Sequence, residues 1–359
     1  MFFKMPVTVY SEPNCIRNHS DLICSLGTKA LLVTGRHSAK KCGALQDVCD
    51  VLAAHQIPYV HFDEIEENPS VESVLKGREL GASAGVDFVI AIGGGSPLDA
   101  AKAIALLLRY PEKGREFLYE LPPRHNSFPL AAIPTTCGTG SEVTAYSVLT
   151  VHEKQTKITI PHRIFPQISL VDPKYLKNAP LSLLQNTAMD ALGHLLESGI
   201  NSAATEFSRM FVKEGLSIWQ KSKPVLLGLQ EPAEEDFFNL MNASTLAGMA
   251  ISHTGTSLPH GLSYCLTYDL GMAHGKAVGY FLGGYLRHAP QAEQDALLSL
   301  AGFSDVAALE QFYEKTCGKD TIPTEILEKS VDALLKNTAK QKCCPYPISP
   351  EILRSIAGL

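Results

Sequence analysis

The sequence lacks several features that would assign it to a specialised class of protein. No apolar run approaches the roughly 20 residues that a membrane-spanning helix needs, and the run Ala103–Leu108 is far too short. The opening MFFKMPVTVY has no basic segment followed by a long apolar stretch and a cleavage site, so we expect no signal peptide. The formal net charge of −6 argues against the basic face that a nucleic-acid partner requires.

A disulfide framework is also missing. The nine cysteines are odd in number, irregularly spaced and without any C-x-x-C pair. This usage is typical of a reducing compartment. We interpret the adjacent Cys343 and Cys344 as free thiols and expect a cytoplasmic protein.

What is present is typical of a two-domain globular protein. The length of 359 residues exceeds the size at which a single hydrophobic core usually keeps growing. The composition, 45% hydrophobic and 19% charged, shows no sign of disorder. The turn-forming residues Asp172, Pro173 and Pro180 indicate a domain boundary. We therefore predict an α/β domain over residues 1–178 and an all-helical domain over residues 179–359.

In the first of these domains, short apolar runs alternate with helical patterns. This alternation predicts a parallel sheet with helices on both faces. Strands are expected at Ala30–Thr34, Tyr59–Phe62, Phe88–Ile92, Leu130–Ile133, Ala145–Thr150 and Ile168–Val171, with a hairpin across Val151–Thr159. Helices are expected at Lys40–His55 and Val71–Ala84, and in the second domain at Gln185–Ile200, Ser202–Ser222, Glu234–Ile251 and Ala307–Thr316.

A glycine-rich turn follows the third predicted strand and leads directly into a helix. Gly93–Gly95 let the backbone turn sharply and approach a ligand, because glycine has no Cβ. Ser96 is predicted as the helix N-cap, with Pro97 at the first and Asp99 at the third helical position. Free N–H groups and the helix dipole would then favour a pyrophosphate. The alternative is a turn that binds no ligand, since the pattern matches neither standard phosphate-binding fingerprint.

A second loop, IPTTCGTGSEVT at Ile133–Thr144, favours a phosphate-binding turn over a turn that binds no ligand. It places five hydroxyl side chains and two glycines in a short turn after a strand. Hydroxyls and backbone amides donate hydrogen bonds to phosphate and ribose oxygens. Two such loops in one α/β domain indicate a dinucleotide site.

Four residues of the second domain are candidate ligands of a divalent metal ion. Asp190 and His194 are four apart in a helical pattern, so both side chains leave one face. His260 and His274 are each followed by glycine, which suits backbone wrapped closely around a ligand. Taken singly, each has an alternative interpretation as a surface pair or a core histidine. His253 is a fifth candidate, interpreted as a pocket or core histidine.

Together these segments resemble the iron-containing (group III) alcohol dehydrogenase family. The matching pieces keep the family's order and spacing, and they are GGGSPLDAAKA at Gly93–Ala103, IPTTCGTGSEVT at Ile133–Thr144, DALGHLLE at Asp190–Glu197, LPHGLSY at Leu258–Tyr264 and MAHGKAVG at Met272–Gly279. The resemblance implies the dehydroquinate-synthase-like fold, a homodimer or larger homo-oligomer, and reversible hydride transfer between NAD(P) and a small alcohol or aldehyde.

The resemblance also implies roles for individual residues. Asp190, His194, His260 and His274 match the metal positions, which accept Fe²⁺ or Zn²⁺. Positions that contact the cofactor are matched by Gly94, Gly95, Ser96, Asp99, Thr135, Thr136, Thr139, Ser141, Asn68, Tyr146 and Lys157.

Two positions depart from the family pattern. Many members carry a second histidine four residues after the third ligand, where this chain has Tyr264. We expect Tyr264, or water and ribose hydroxyls, to complete a proton relay there. Members that prefer NAD often place an acidic residue after the strand that corresponds to Ala30–Thr34, but Gly35 stands here, with three cations close by. We therefore expect NADP(H) as the cofactor, with its 2′-phosphate bound by Ser38, Lys40 and Lys41. The alternative is that these residues form a solvated basic loop that binds no phosphate.

The sequence TSLPHGLSYCLTY around His260 resembles a subgroup that includes phosphonoacetaldehyde reductases, which implies a small polar aldehyde. Other functions stay open at this point. They are a dehydroquinate-synthase-like lyase, a relative of glycerol-phosphate dehydrogenase acting on a phosphorylated polyol, and a binding protein without activity. Asp190-x-x-x-His194 with two later histidines fits the alcohol dehydrogenases better than the Glu/His/His metal set of the lyases.

Overall fold

The computed structural model describes residues 3–359, which cluster into two compact units. One unit, called the sheet unit, comprises Met5–Thr136 and Ser141–Ala179. The other, called the helical unit, comprises Cys137–Gly140 and Pro180–Leu359 together with Phe3 and Lys4. Four residues of the second loop therefore belong to the helical unit.

The sheet unit is built on a parallel sheet, as predicted, and the sheet has six strands. The predicted strand Ala145–Thr150 is not one of them, because Val148–Val151 pairs with Thr156–Thr159 in a separate antiparallel hairpin. The strands of the sheet are β1 (Thr8–Ser11), β2 (Ala30–Gly35), β3 (Tyr59–Ile65), β4 (Phe88–Gly93), β5 (Leu130–Pro134) and β8 (Ile168–Val171), with the hairpin strands β6 (Val148–Val151) and β7 (Thr156–Thr159) apart from them. The order across the sheet is β1-β8-β5-β4-β2-β3. β1 escaped prediction because it is a four-residue edge strand that is only partly buried.

The helices of this unit connect successive strands. They are α1 (Cys15–Asn18), α2 (Ser20–Cys24), α3 (Ser38–Lys41), α4 (Ala44–Ala54), α5 (Val71–Ala84) and α6 (Gly95–Arg109), with 3₁₀ turns at Arg115–Tyr119, Ser141–Val143, His152–Lys154 and Pro173–Leu176. The single helix predicted over Lys40–His55 was wrong, because Gly43 has φ 88° and separates α3 from α4.

Both faces of the sheet are buried. Leu31 and Val33 of β2 belong to one apolar cluster, together with residues of α5 and α6. Ala30 and Leu32 of the same strand belong to a second cluster, together with residues of α4. A parallel strand that is covered on both sides reads as a continuous apolar run, which explains why ALLVT was recognisable in the sequence.

The helical unit has helices of very different length. They are α7 (Leu181–Ile200), α8 (Glu206–Trp219), α9 (Lys223–Leu226), α10 (Glu234–Thr254), α11 (Leu258–Leu270), α12 (His274–Arg287), α13 (Gln291–Leu300), α14 (Val306–Cys317), α15 (Thr324–Leu335), α16 (Thr338–Gln341) and α17 (Pro350–Ala357), with a 3₁₀ turn at Gln220–Ser222. α8 is shorter than the predicted Ser202–Ser222 because the Thr205 hydroxyl caps it, accepting from Ser208 N–H at 3.4 Å. Among the described residues, no helix has the length and apolarity needed to cross a membrane.

His162 predicts a loss of stability in acid. Its buried ring accepts a hydrogen bond from Arg124 N–H (2.9 Å) and donates one to the Phe117 carbonyl (2.6 Å). Burial lowers the pKa of His162 below the ordinary 6.5, so the unfolded chain binds the proton more readily. The neutral His162 ring therefore contributes fully to the free energy of unfolding above pH 6.5. This contribution is lost as the pH falls towards the lower pKa that His162 has in the folded protein.

The expected result is a urea midpoint that decreases from about pH 7 to about pH 5. The variant His162→Asn keeps one acceptor and one donor without a titrating proton, so its midpoint should vary less with pH. His55→Asn on an exposed histidine is the control and should retain the wild-type slope. Equal slopes in all three proteins would contradict the assignment.

Candidate functional site

Helix α7 carries two of the predicted metal ligands. Asp190 Oδ1 and His194 Nε2 lie 4.0 Å apart, so the two side chains do share one face, as their spacing predicted. Both are almost completely buried, with residual exposures of 3% and 4%. A carboxylate and an imidazole at this depth need a partner, because neither can be solvated by water.

His260 and His274 direct their imidazoles at the same carboxylate oxygen. His260 is the third residue of α11 and its Nε2 lies 3.3 Å from Asp190 Oδ1. His274 is the first residue of α12 and its Nε2 lies 3.7 Å from that oxygen. The His194 and His260 rings stack with centroids 4.4 Å apart. The structure thus brings all four predicted residues together.

The two glycines that follow these histidines have a different role from the one expected. Gly261 and Gly275 lie inside helices and do not wrap the backbone around a ligand, so that interpretation was wrong. A Cβ at Gly261 would lie 2.6 Å from Leu334 Cδ1, and one at Gly275 would collide with the Asn186 carbonyl oxygen of α7. Glycine is needed at position 275 because α12 approaches the backbone of α7 too closely for any side chain, whereas Gly261 makes room for the end of the Leu334 side chain.

The ligand atoms fit a divalent cation. Asp190 Oδ1 and His260 Nε2 are buried, and neither forms a hydrogen bond within the described part of the chain although they face each other. Buried polar atoms normally find such a partner. The donor atoms of Asp190, His260 and His274 lie within 4.8 Å of one another, with His194 beside them. Three imidazoles and one carboxylate suit Fe²⁺ or Zn²⁺.

Neighbouring acceptors determine which ring nitrogens face the cluster. His194 Nδ1 donates to the Gly138 carbonyl at 3.2 Å, and His260 Nδ1 donates to Glu197 Oε1. Each bond occupies Nδ1, so that Nε2 is the ring nitrogen that faces the other ligands. Sequence reasoning missed Glu197, although it follows Asp190 by seven residues and so lies two turns along the same apolar helix.

The ionisation of the cluster also favours a cation. Burial disfavours the charged form of His194 and lowers its pKa to about 4, against the attraction of Asp190. Burial acts in the same direction on His260, but the Glu197 and Asp190 carboxylates outweigh it and raise its pKa to about 9. Burial opposes the charge of Asp190, yet the surrounding imidazoles hold its pKa well below the usual range. At neutral pH a metal ion therefore competes with one proton on His260.

In the sheet unit, α6 begins earlier than predicted. The helix starts at Gly95 with Gly94 as its N-cap, so the assignment of Ser96 as N-cap was wrong. The extended backbone of Gly94 (φ −76°, ψ −165°) already initiates the helix. The Ser96 hydroxyl instead accepts a hydrogen bond from Asn68 N–H at 3.1 Å. Gly93 has φ 150°, a conformation that glycine adopts readily.

The second loop lies against this turn. Thr135 N–H donates to the Gly93 carbonyl at 2.9 Å, and a Cβ on Gly94 would lie 3.1 Å from the Thr136 side chain. The Thr135 hydroxyl is buried and has no hydrogen-bond partner among the described residues. Such an orphaned hydroxyl beside the N-terminus of α6 fits a phosphate or ribose oxygen.

A buried lysine that sequence reasoning missed holds the second loop in place. Lys102 is fully buried on α6, and its Nζ donates to the Ser141 hydroxyl and the Tyr146 carbonyl, both at 2.7 Å. Burial lowers the pKa of Lys102 to about 8, against the attraction of Asp99. Asp99 accepts from the Ser141 hydroxyl and from Val148 N–H (2.8 Å), so its carboxylate braces the loop from inside.

Two further predicted residues meet beside this turn. Asn68 has φ 57°, and its side-chain oxygen accepts from Lys157 Nζ at 2.9 Å. The Asn68 carbonyl accepts from the Thr150 hydroxyl at 2.8 Å. Asn68, Lys157 and Ser96 therefore form one connected group around the start of α6.

The remaining predicted residues lie elsewhere. Ser38 and Lys41 are the first and last residues of α3, where Lys40 Nζ lies 3.5 Å from Asp63 Oδ2. Thr139 belongs to the helical unit. Tyr264 is half-buried one turn after His260 on α11.

His253 stands apart from the metal cluster. Its ring stacks on Phe3 with centroids 5.1 Å apart, and its Nδ1 bonds to the Met249 carbonyl at 2.8 Å. Its interpretation as a pocket or core histidine is consistent with these contacts.

Two family profiles match most of the chain. The first, described as "Iron-containing alcohol dehydrogenase", covers residues 6–173, and the second, "Fe-containing alcohol dehydrogenase family, C-terminal", covers residues 185–337. The chain belongs to the iron-containing alcohol dehydrogenase family. It is therefore an oxidoreductase, and the lyase and polyol-phosphate alternatives are not favoured.

Individual relatives agree with the family assignment. The chain is 30% identical over 347 residues to the NADPH-dependent butanol dehydrogenase of Clostridium saccharobutylicum, covering 92% of this chain and 87% of that protein. It is 32% identical over 265 residues to the lactaldehyde reductase of Escherichia coli (strain K12), covering 72% and 68%. It spans only 34% of the longer aldehyde-alcohol dehydrogenase 2 of Entamoeba histolytica.

Solved structures share the fold of this iron-containing alcohol dehydrogenase. An iron-containing alcohol dehydrogenase from Thermotoga maritima superposes with a TM-score of 0.90 at 34% identity, covering 100% of this chain and 99% of that one. The fold is the dehydroquinate-synthase-like fold that the resemblance implied.

Proposed function

We propose that this enzyme transfers hydride reversibly between a nicotinamide cofactor and a small alcohol or aldehyde, with a divalent ion held by Asp190, His194, His260 and His274. The observation that carries this proposal is that Asp190 Oδ1 and His260 Nε2 are buried, face each other at 3.3 Å and form no hydrogen bond within the described part of the chain. When bound there, Fe²⁺ or Zn²⁺ supplies a Lewis acid for the substrate oxygen. The residues of the chain orient the imidazoles, exclude water and hold the cofactor.

We propose that the cofactor binds at the start of α6 and at the second loop. Backbone N–H groups at the N-terminus of α6 and the orphaned Thr135 hydroxyl are suitable donors to its phosphates. Asp99 acts indirectly, because its carboxylate positions Ser141. The complete proposed set is Ser38, Lys41, Asn68, Gly94, Gly95, Ser96, Asp99, Thr135, Thr136, Thr139, Ser141, Tyr146 and Lys157.

We propose that the enzyme prefers NADPH to NADH as its cofactor. Gly35 at the end of β2 carries no carboxylate that would repel a 2′-phosphate, and the cations of α3 follow it. Asp63 is paired with Lys40, which leaves Lys41 and Ser38 as the stronger candidates for a phosphate. The related butanol dehydrogenase is described as NADPH-dependent.

This preference is tested by comparing kcat/KM for NADPH and NADH against a panel of small aldehydes, with metal content measured on the same protein. We expect NADPH to be favoured. Lys41→Ala should lower the ratio about 10-fold, because a hydrogen bond to a charged group contributes about 1.5–3 kcal/mol. Lys76→Ala, at a solvent-exposed lysine 3.9 Å from Glu64, is the control and should leave the ratio unchanged. A clear preference for NADH would overturn the proposal.

Tyr264 is proposed to relay the substrate proton. It lies one helical turn after His260, at the sequence position where many family members carry a second histidine. Tyr264→Phe should lower kcat about 10²-fold and remove one limb of the pH profile, since positioned acid–base groups contribute on this scale. Tyr268→Phe, one turn further along α11, is the control. An unchanged rate and pH profile for Tyr264→Phe would assign the relay to water and ribose hydroxyls.

We further propose that the substrate is a small polar aldehyde and that the enzyme is a cytoplasmic homodimer. We also propose that residues 1–178 form the cofactor domain and residues 179–359 the metal domain. The E. coli relative is described as a lactaldehyde reductase, a name that specifies a small polar aldehyde. All nine cysteines carry free thiols, as proteins of reducing compartments do. Light scattering of the purified protein tests the oligomeric state.

A further inference from the structure

The short helix α16 lies beyond residues 185–337, the part that matches the second family profile. It carries Lys340, a partly exposed residue whose ammonium group points inward to the Thr256 carbonyl. Lys340 Nζ donates to the Thr256 carbonyl at 3.0 Å and also contacts the Thr256 hydroxyl. The ammonium therefore holds the turn that joins α10 to α11.

This turn is also held from its other side. Gly255 ends α10 with φ 73°, and Ser257 precedes the first residue of α11. Ser257 donates its N–H and its hydroxyl (3.1 Å) to Glu197 Oε2. The peptide between Thr256 and Ser257 is thus fixed at its carbonyl by Lys340 and at its N–H by Glu197.

Glu197 connects the turn to the metal cluster. Its side chain is completely inaccessible to solvent, and its second oxygen accepts from His260 Nδ1. A buried carboxylate is stable only when charges and hydrogen bonds compensate it. Burial opposes the ionised form of Glu197, and the contact with His260 and, to a smaller extent, the charge of Lys340 favour it. The contacts therefore run from Lys340 through Thr256, Ser257 and Glu197 to His260.

The backbone of this C-terminal segment is anchored at several points. Lys340 N–H donates to the Asn337 side chain at 3.2 Å, and the Gln341 side chain donates to the Leu334 carbonyl at 2.9 Å. The Cys343 carbonyl accepts from Ser202 N–H at 2.8 Å. These hydrogen bonds hold the backbone around Lys340 in place, so the contact between Lys340 and the turn is part of the fold.

We infer that Lys340 and Glu197 are positioning residues that set the affinity and geometry of the metal centre through His260. The inference rests on the proposed metal centre. Glu197 holds the His260 ring with Nε2 facing Asp190, and Lys340 fixes the turn that supports Glu197. Outer partners of metal-bound histidines typically change metal affinity or activity by about 10–100-fold when they are replaced.

The test uses the full chain, stripped of metal with a chelator and reloaded with Co²⁺. Affinity is measured by chelator competition and ligand geometry by the visible absorption of Co²⁺. We expect Glu197→Gln and Lys340→Met to weaken Co²⁺ binding about 10–100-fold and to alter the spectrum, and Lys340→Arg to restore part of both. Lys329→Met is the matched control, because it removes an exposed lysine paired with Asp269 at 2.7 Å on the neighbouring α15.

The outcomes separate this inference from the proposed function. Wild-type affinity and spectrum in Lys340→Met, with Co²⁺ bound by the wild-type protein, would overturn the role of Lys340 and leave the metal centre standing. Absence of Co²⁺ binding by the wild-type protein would overturn both. Circular dichroism of the apoproteins identifies a variant that does not fold, and if Glu197→Gln is one, the two Lys340 variants decide.

Discussion

Asp190→Asn is expected to abolish stoichiometric metal binding and to lower kcat/KM by about 10³-fold or more. The three imidazole Nε2 atoms lie 3.3–4.0 Å from one oxygen of this carboxylate, so its charge is the centre of the cluster. The amide keeps the volume but removes that charge. Loss of a Lewis acid removes several kcal/mol of transition-state stabilisation, and each 1.36 kcal/mol is a factor of ten in rate.

The measurement combines metal analysis of the purified variant with steady-state kinetics in the direction of aldehyde reduction. Asp269→Asn is the control, since it makes the same chemical change on a carboxylate of α11 that pairs with Lys329. The control should retain both metal and rate. If Asp190→Asn retained metal at wild-type stoichiometry and turned over normally, Asp190 would not be a ligand.

Gly275→Ala is expected to destabilise the helical unit and to empty the metal centre, although it adds a single methyl group. The new Cβ would collide with the Asn186 carbonyl and lie 3.0 Å from Asp190 Cβ. Overpacking of a close contact typically destabilises by about 1–3 kcal/mol, and a backbone carbonyl cannot rotate away. α12 must therefore move away from α7, and this movement separates His274 from Asp190.

Thermal unfolding and metal content together check this expectation. The control is Gly114→Ala, because its Cβ would meet only the flexible end of Glu116 at 3.3 Å. We expect a lower Tm and little bound metal for Gly275→Ala and wild-type values for the control. A Gly275→Ala protein with normal Tm and full metal content would show that the two helices tolerate a wider separation.

Much of the fold was predictable because local patterns determine it. The run ALLVT predicted β2, since strands buried on both faces are continuously apolar. The helix Val71–Ala84 was predicted with its observed bounds, because the Ser70 hydroxyl caps it at one end and Gly85 ends it at the other. The break at Gly43 and the early start of α6 at Gly95 were not predicted, since each depends on the backbone angles of a glycine.

The candidate metal ligands were also identifiable from the sequence. The spacing of Asp190 and His194 is a property of the helix alone, and the family resemblance added His260 and His274. No local pattern, however, indicates that Glu197 orients His260, that Gly138 accepts from His194, or that Lys340 supports the turn before α11. Those contacts join residues separated by 56 to 84 positions in the chain.

The sequence by itself determined the parallel sheet, the two loops after its strands, the long helices and the four candidate ligands. Each of these depends on residue spacing or on the resemblance of short segments. Only the tertiary structure decided that Gly261 and Gly275 serve helix packing, that Asp99 and Lys102 brace a loop, and which nitrogen of each histidine faces Asp190. Hydrogen bonds and close contacts between distant segments set these features, because they exist only after the chain has folded.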